Sequence, residues 1–553
     1  MSVCNTTIAD AWVATDFCAY QLPVSINQVR SVISVGVDDF LALERASQSV
    51  VYAWDSDGDG LAESRKVLAS ASSLNHGLAV RDGYIYASSS SHVYRWPLVP
   101  SATTTTTNSS SSSITNNNSD NTTQMFDEET TVGDMETVVD NINRDGSGGA
   151  PFGHTTRTLA FDEQGLLYVS VGSNDNVDPD SFRSRIRRFD IDDPDLYPLN
   201  FLDGLVFADG LRNEVGLAFD AHGDLWGVEN SADRLFREDL GGDIHTDNPA
   251  EELNRFKEED VGKNWGYPKC WTEFKVPEPQ GLGQGTIWAW PSFLNEGKAT
   301  DEECRANTIP PVMSLQGHSA PLGITFYEWK PPEARPSECP PNVAFPAEMD
   351  GSAFIAYHGS WNRDIPTGYK VVYVEMDEDG DPIGSDPLDL LMHNPPDATW
   401  DNGFRPVDVD FDDCGRLLIS SDGTRSMDYG GSGIVRMESA PGTFAPTKIT
   451  FSEEGTSASV PSNSSSATSE EVFSEEISGQ GGQTDENSTD AEELTASTED
   501  SQDQKISNST DAESVSSPTS TGSRVQVSSG AMLQAGLVSS IIVAGTFCSN
   551  FFS

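Results

Sequence analysis

Positive charge is scarce in this chain. Its 553 residues hold 33 Lys and Arg against 87 Asp and Glu, a formal net charge of −54, with only 8 His. A surface this acidic repels nucleic-acid phosphates and anionic headgroups, which excludes nucleic acid and lipid surfaces as main partners. Hydrophobic residues make up 36%, below the about 45–50% (Gly included) of ordinary globular chains, so much of the sequence is not core. The seven cysteines (Cys4, Cys18, Cys270, Cys304, Cys339, Cys414 and Cys548) contain no CxxC or CxxCH pattern. That argues against a zinc ribbon and covalently attached c-type haem. Cys548 lies in an apolar tail. The remaining six are an even number, consistent with disulfides in an oxidising compartment. Proximity suggests Cys4–Cys18 and Cys270–Cys304, although spacing alone does not decide the pairing.

Two stretches also lack core residues. Residues 101–150 contain TTTTTNSSSSS, and 446–530 are acidic and Ser/Thr-rich with almost no aromatics. Neither can bury enough apolar surface to fold. The first reads as a surface insertion and the second as a disordered stalk. Six of the seven Asn-x-Ser/Thr acceptors lie in these stretches, so they support secretion only weakly. The run 531–547, AMLQAGLVSSIIVAGTF, is apolar, marginal in length for a spanning helix, and preceded by the small residues Thr521, Gly522 and Ser523. That order matches a glycolipid-anchor signal, with a tail helix as the alternative. The opening MSVCNTTIADAW has no basic n-region and no apolar h-region. The expectation is therefore an extracellular or surface-anchored protein whose leader is not in this chain, touching membrane only through its tail.

What is present is a repeat. An apolar strand, an Asp/Gly turn and further strands recur at 31–55, 77–96, 158–190, 216–239, 323–376 and 407–437. Alternation within each strand argues β, and six copies argue for an all-β, six-bladed β-propeller. The expected organisation is an N-terminal segment 1–19, the propeller 20–440 with its 101–150 insertion, the stalk 441–530 and the hydrophobic segment 531–553.

Propellers place chemistry on the loops of one face. Each of the six inner strands is preceded, in the loop before it, by a His or Arg: Arg30, His76, His154, Arg212, His318 and Arg405. In a chain so poor in base, that recurrence implies a cationic central pit suited to a small polyanion. A lone loop histidine is more often surface than catalyst. The matched positions of His154 and Arg212–Asn213 raise the odds for both. His358 and Arg363 lie in HGSWNR, within the fifth repeat. Separately, Asp55, Asp57, Asp59 and Glu63 in DSDGDGLAE have calcium-loop spacing without the acid at the twelfth position, and an Asp/Gly turn is the plainer reading.

The phrases GHTTRTLAFDEQGLLYVSVGSNDN, DGLRNEVGLAFDAHGDLWGVEN, AEELNRFKEEDVGKNWGYPKCW, HSAPLGITFY, HGSWNRDIPTGYKVV and RPVDVDFDDCGRLLISSDG together resemble the glucose/sorbosone dehydrogenase family that uses pyrroloquinoline quinone (PQQ). The likeness is to its sorbosone-dehydrogenase-like and fungal pyranose dehydrogenase branch. The resemblance implies a propeller holding PQQ and Ca2+ on its top face. His154 matches the family's catalytic base, and Arg212 and Asn213 match residues at the quinone carbonyls. Arg30, His358 and Arg405 fall where other cofactor contacts are expected, and Arg363 and His76 are carried over as further contacts. The implied reaction oxidises a small carbohydrate of aldose, pyranose or sorbosone type. Its electrons pass to an external acceptor, a cytochrome or a quinone. Two other readings stay open. A calcium-dependent, lactonase-like hydrolase would need Glu, Asn and Asp where these loops present His and Arg. A non-catalytic binding propeller would use the fold without the cofactor.

Overall fold

The structure, a computed structural model, describes residues 6–99, 126–142, 154–179, 183–423 and 430–440. The stalk, the apolar tail and most of the 101–150 insertion lie outside the described residues. Six antiparallel sheets are arranged as the blades of a propeller. Their innermost strands are Val29–Ser34, Leu74–Arg81, Leu159–Phe161, Glu214–Phe219, Pro321–Phe326 and Pro406–Phe411. Each inner strand packs against its neighbours in the ring. Apolar clusters fill the space between successive blades, so alternate residues of every strand are buried on one side or the other.

The ring closes through the N-terminal segment. Phe17–Gln21 pairs with Gly433–Ser439 and becomes the outer strand of the sixth blade. Ala11–Val13 adds a fifth strand to the fifth blade through Leu388–His393. The propeller's sheets therefore take in part of the segment 1–19. The insertion is also less uniform than its composition suggests. Glu136–Asp140 pairs with Val93–Val99 as an outer strand of the second blade, because Val138 and Val139 are fully buried there.

Close approach at the axis has a local cause. Aligned in the repeat, Ser31, Gly77, Thr158, Gly216, Gly323 and Asp408 occupy equivalent positions in or beside the inner strands. A Cβ on Gly323 would stand 2.6 Å from the Asp408 Cα, and one on Gly216 3.1 Å from the Gly323 Cα. Three glycines thus let neighbouring inner strands come nearly into backbone contact. Disulfides join Cys270 to Cys304 and Cys339 to Cys414, and Cys18 is disulfide-bonded as well. The second of these links was not among the proximity pairs. Its partners are 75 residues apart.

Candidate active site

The inner strands all begin at one face, so the six basic positions lie around one opening. Five of the six inner strands open with a register shift: between Val29 and Ser31, Leu74 and Leu78, Glu214 and Gly216, Pro321 and Gly323, and Pro406 and Val409. A bulge re-aims the side chains beside it. Arg30 and His76 thus sit inside their strands rather than in the preceding loop.

His154 and Asn213 meet at the third and fourth blades, around Gly172. A Cβ on Gly172 would stand 2.7 Å from the His154 Cβ, with Asn213 Oδ1 closer still. The Ser173 main-chain N–H donates to the Arg212 carbonyl at 2.7 Å, tying the two loops. His154 Nδ1 lies 2.9 Å from the Ser173 carbonyl and 3.0 Å from Ser173 Oγ. A carbonyl only accepts, and Ser173 Oγ spends its proton on the Asp175 carbonyl at 2.7 Å. Nδ1 therefore carries the hydrogen, and Nε2 presents a lone pair. Burial, and then the charge of Arg212, pull the imidazole pKa down to about 3. His154 is a neutral, oriented base at physiological pH. Among the described residues, neither its Nε2 nor the Asn213 side chain has a hydrogen-bond partner.

Two carboxylates organise the remaining bases. Asp233 accepts from Arg212 Nη2 at 3.2 Å and Asn362 Nδ2 at 2.7 Å, and faces His318 Nδ1 at 3.3 Å. Burial pushes its pKa up, but the His318 hydrogen bond and the Arg212 charge outweigh that and hold it at about 2. His318 has its other nitrogen 2.6 Å from the His245 carbonyl. Both its nitrogens face acceptors, so it is the imidazolium of the group. Burial would lower its pKa, yet Asp233 and Glu251 raise it. Asp422 plays the same part between the first, fifth and sixth blades. It takes Arg30 Nη1 at 2.8 Å and His358 Nε2 at 2.8 Å. Asp422 stays ionised, because His358 and Arg30 outweigh its burial.

These pairings offset part of the expected cationic pit. Asp422 and Asp233 balance Arg30 and Arg212, burial keeps His154, His76 and His358 uncharged, and His318 remains an imidazolium. The structure also sorts the expected cofactor contacts. His76 is 2% exposed. It lies 3.5 Å from Arg30 Nη2 and hydrogen-bonds the Val215 main chain. It braces Arg30 from below. Arg363 is committed to the Thr246 and Gly317 carbonyls at 2.6 and 3.2 Å and to Asp247 at 3.3 Å. Arg405 donates to the His358 and Gly359 carbonyls at 3.1 and 2.9 Å.

Asp55, Asp57, Asp59 and Glu63 do cluster, with one oxygen of each within 4.8 Å of the others. Much of their hydrogen-bonding capacity is met within the turn: Asp55 accepts from Gly58 and Gly60, Asp57 from Asp59, and Glu63 from Ser56. The loop lies beside Asp38 and Asp39, at the turn that ends the first inner strand. It is on the face opposite His154, so a cation there cannot act on the reacting centre.

Residues missed from the sequence are Asp233, Asp422, Asn176, Ser173 and Gly172. All but one are within four residues of the end of a second strand, Leu167–Val171, Leu225–Glu229 or Leu417–Ser421. Asn176 is a residue further along. The signal was the acid or amide that follows each of those strands, in GSNDN, ENSAD and SSDG.

The fold and site are those of a six-bladed propeller that presents an oriented neutral histidine, an open amide and paired guanidinium groups on one face. The chain belongs to the TrAA12-like family, whose model matches residues 11–427. It is 31% identical over 389 residues to a "Pyrroloquinoline quinone-dependent sugar dehydrogenase" of Hypocrea jecorina, covering 65% of this chain and 74% of that protein. It is 30% identical over 337 residues to a "Pyrroloquinoline quinone-dependent pyranose dehydrogenase" of Coprinopsis cinerea, covering 58% of this chain and only 38% of that longer protein. Among solved structures, it superposes on the holo PQQ domain of the Coprinopsis pyranose dehydrogenase with a TM-score of 0.61 at 26% identity, over 78% of this chain and 98% of that one. It superposes on a calcium structure of the Trichoderma reesei AA12 enzyme with a TM-score of 0.60 at 27% identity, over 79% of this chain and 99% of that one.

Proposed function

We propose that this protein is a PQQ-dependent dehydrogenase of sugars, acting outside the cell on an aldose, pyranose or sorbosone-type substrate. The observation that carries the reading is the neutral His154 tautomer with its Nε2 open beside Asn213 and Arg212. The residues fit a planar, polycarboxylate cofactor. Arg30 Nε and Arg212 Nε are buried donors without a hydrogen-bond partner among the described residues, and the missing Cβ of Gly172 lets His154 and Asn213 close together. Arg30, Arg212 and Asn213 would hold the group, with His358 and Arg405 shaping its edge. Bound there, PQQ would supply an ortho-quinone able to accept a hydride, which carries the two electrons of the oxidation.

The chain's own work is acid–base and electrostatic. His154 Nε2 takes the hydroxyl proton of the sugar, and the Ser173 carbonyl stabilises the imidazolium that forms. Asp233 keeps Arg212 charged and aimed, as a fixed dipole source where negative charge develops. Ca2+ is part of the proposal, supported by the calcium-bearing AA12 relative. The Asp55–Glu63 loop suits a structural ion. An external acceptor, a cytochrome or quinone, takes the electrons. Two disulfides fit an oxidising compartment.

The test is direct. The purified protein is given PQQ and Ca2+, then aldoses or sorbosone with a dye acceptor. Dye reduction is expected. Absence of both PQQ binding and dye reduction refutes the reading. His154→Ala should bind PQQ yet lose turnover by about 10²–10⁴-fold. Retained turnover removes His154 from the base role.

A further inference from the structure

Beneath the Arg212–Asn213 loop the fourth blade carries a row of acids. Glu214, Glu229, Glu252 and Ser314 are successive cross-strand partners on its four strands. Their side chains share the face that Leu225 and Phe256 turn toward Phe207 and Ala208 of the third blade. All four are at most 5% exposed. Asn254, fully buried, reaches Glu214 Oε2 at 3.3 Å and Glu252 Oε2 at 3.4 Å. Thr272 hydrogen-bonds Glu252. Glu229 Oε1 accepts the Arg212 main-chain N–H at 2.9 Å.

Charge balance fails if all three carboxyls are ionised. Among the groups acting on them, Arg212 is the cation, and its guanidinium is committed to Asp233, Asn176 and two carbonyls. Trp265 and Tyr267, which line the same cavity as Glu229 and Glu252, are neutral at physiological pH. Hydrogen-bond bookkeeping fails as well. Among the described residues, Glu214 Oε1 and Glu229 Oε2 are buried with no partner, although the two side chains stand at hydrogen-bonding distance. Two carboxylates can only accept. One proton between them gives both orphan oxygens a partner. Burial, and then the charge of Glu252, raise both well above the usual carboxyl range, and burial raises Glu252 to about 7.

We propose that Glu229 is a positioning residue: it shares a proton with Glu214, and this neutral pair fixes the Arg212–Asn213 main chain at the site. Asn213 is held from the other side, where its carbonyl accepts the Asn230 N–H at 3.0 Å. Loss of the proton at alkaline pH sets like charges side by side in a dry space and loosens the loop. The consequence for cofactor binding rests on the PQQ reading; the proton itself does not.

Glu229→Gln keeps the acceptor for Arg212 and offers Glu214 an amide N–H, so it imitates the protonated pair. Glu229→Ala removes both. Infrared spectra of the wild type at neutral pH should show a protonated-carboxyl band that Glu229→Gln lacks. In PQQ titrations Glu229→Gln should match the wild type at neutral pH and stay flat toward alkaline pH, where wild-type affinity falls. Glu229→Ala, confirmed folded by melting, should bind about tenfold more weakly. No band difference, or a Glu229→Gln as impaired as Glu229→Ala, overturns the proposal. If no variant binds PQQ, the functional reading fails while the band still decides the carboxyl pair.

Discussion

Replacing Gly172 by alanine adds one methyl group where the third and fourth blades present the base and the amide. The new carbon would stand 2.7 Å from the His154 Cβ and 3.2 Å from the Arg212 carbonyl, with Asn213 Oδ1 nearer than either. Carbon atoms rest at about 3.5–4.0 Å, so His154 must retreat by about 0.8 Å or more. It has little freedom to do so while Nδ1 stays on Ser173. A misplacement of about 1 Å at a reacting group costs on the order of 10²-fold in rate. Gly172→Ala should therefore lower kcat/KM by about 10²-fold in the dye-linked assay, with a melting temperature near that of the wild type. The methyl group meets His154, Asn213 and the Arg212 carbonyl rather than an apolar cluster between blades. Wild-type kcat/KM in a folded Gly172→Ala protein refutes the geometry described for His154 and Asn213.

Three other outcomes follow from the same structure. The depressed His154 pKa, about 3, means that the base stays unprotonated well below pH 6.5. The acid limb of kcat/KM should lie below about pH 5, and a limb near 6.5 contradicts the burial of His154. Joint replacement of Asp57 and Asp59 by Asn should leave turnover unchanged and weaken Ca2+ binding only at that loop, because the loop is on the far face; calorimetry with the apo protein checks this. Asp410 is raised to about 7, by burial first and despite the Ser34 N–H. A raised carboxyl favours folding below its unfolded pKa, and that contribution is lost as pH climbs from about 4 through 7. Asp410→Asn should leave Tm at or below about pH 4 unchanged and raise it by at least about 2 °C near pH 8, read by scanning calorimetry.

Much of this molecule was legible without coordinates. Strand alternation and six Asp/Gly turns specify blades, because a half-buried strand has a period of two whatever surrounds it. Basic residues at the start of each inner strand could be aligned from the repeat alone, so His154, Arg212 and Asn213 were found as one group. What stayed hidden depends on partners far apart in the chain. Asp422 meets Arg30 across 392 residues, and Asp233 meets Asn362 across 129. A residue count cannot show which bases lining a pit are offset by acids. The tautomer of His154 likewise depends on Ser173, set in place by a neighbouring strand.

The outer strand Phe17–Gln21 and the strand Glu136–Asp140 were hidden for a related reason. Each is short, and its burial exists only once the ring has closed on it. Composition and periodicity, being local, determined the blades, the low-complexity stretches and the residue types at the open face. Tertiary structure alone decided which charges cancel, which histidines stay neutral, and which glutamates are buried side by side. Those outcomes depend on distance and desolvation, and neither exists until the blades pack.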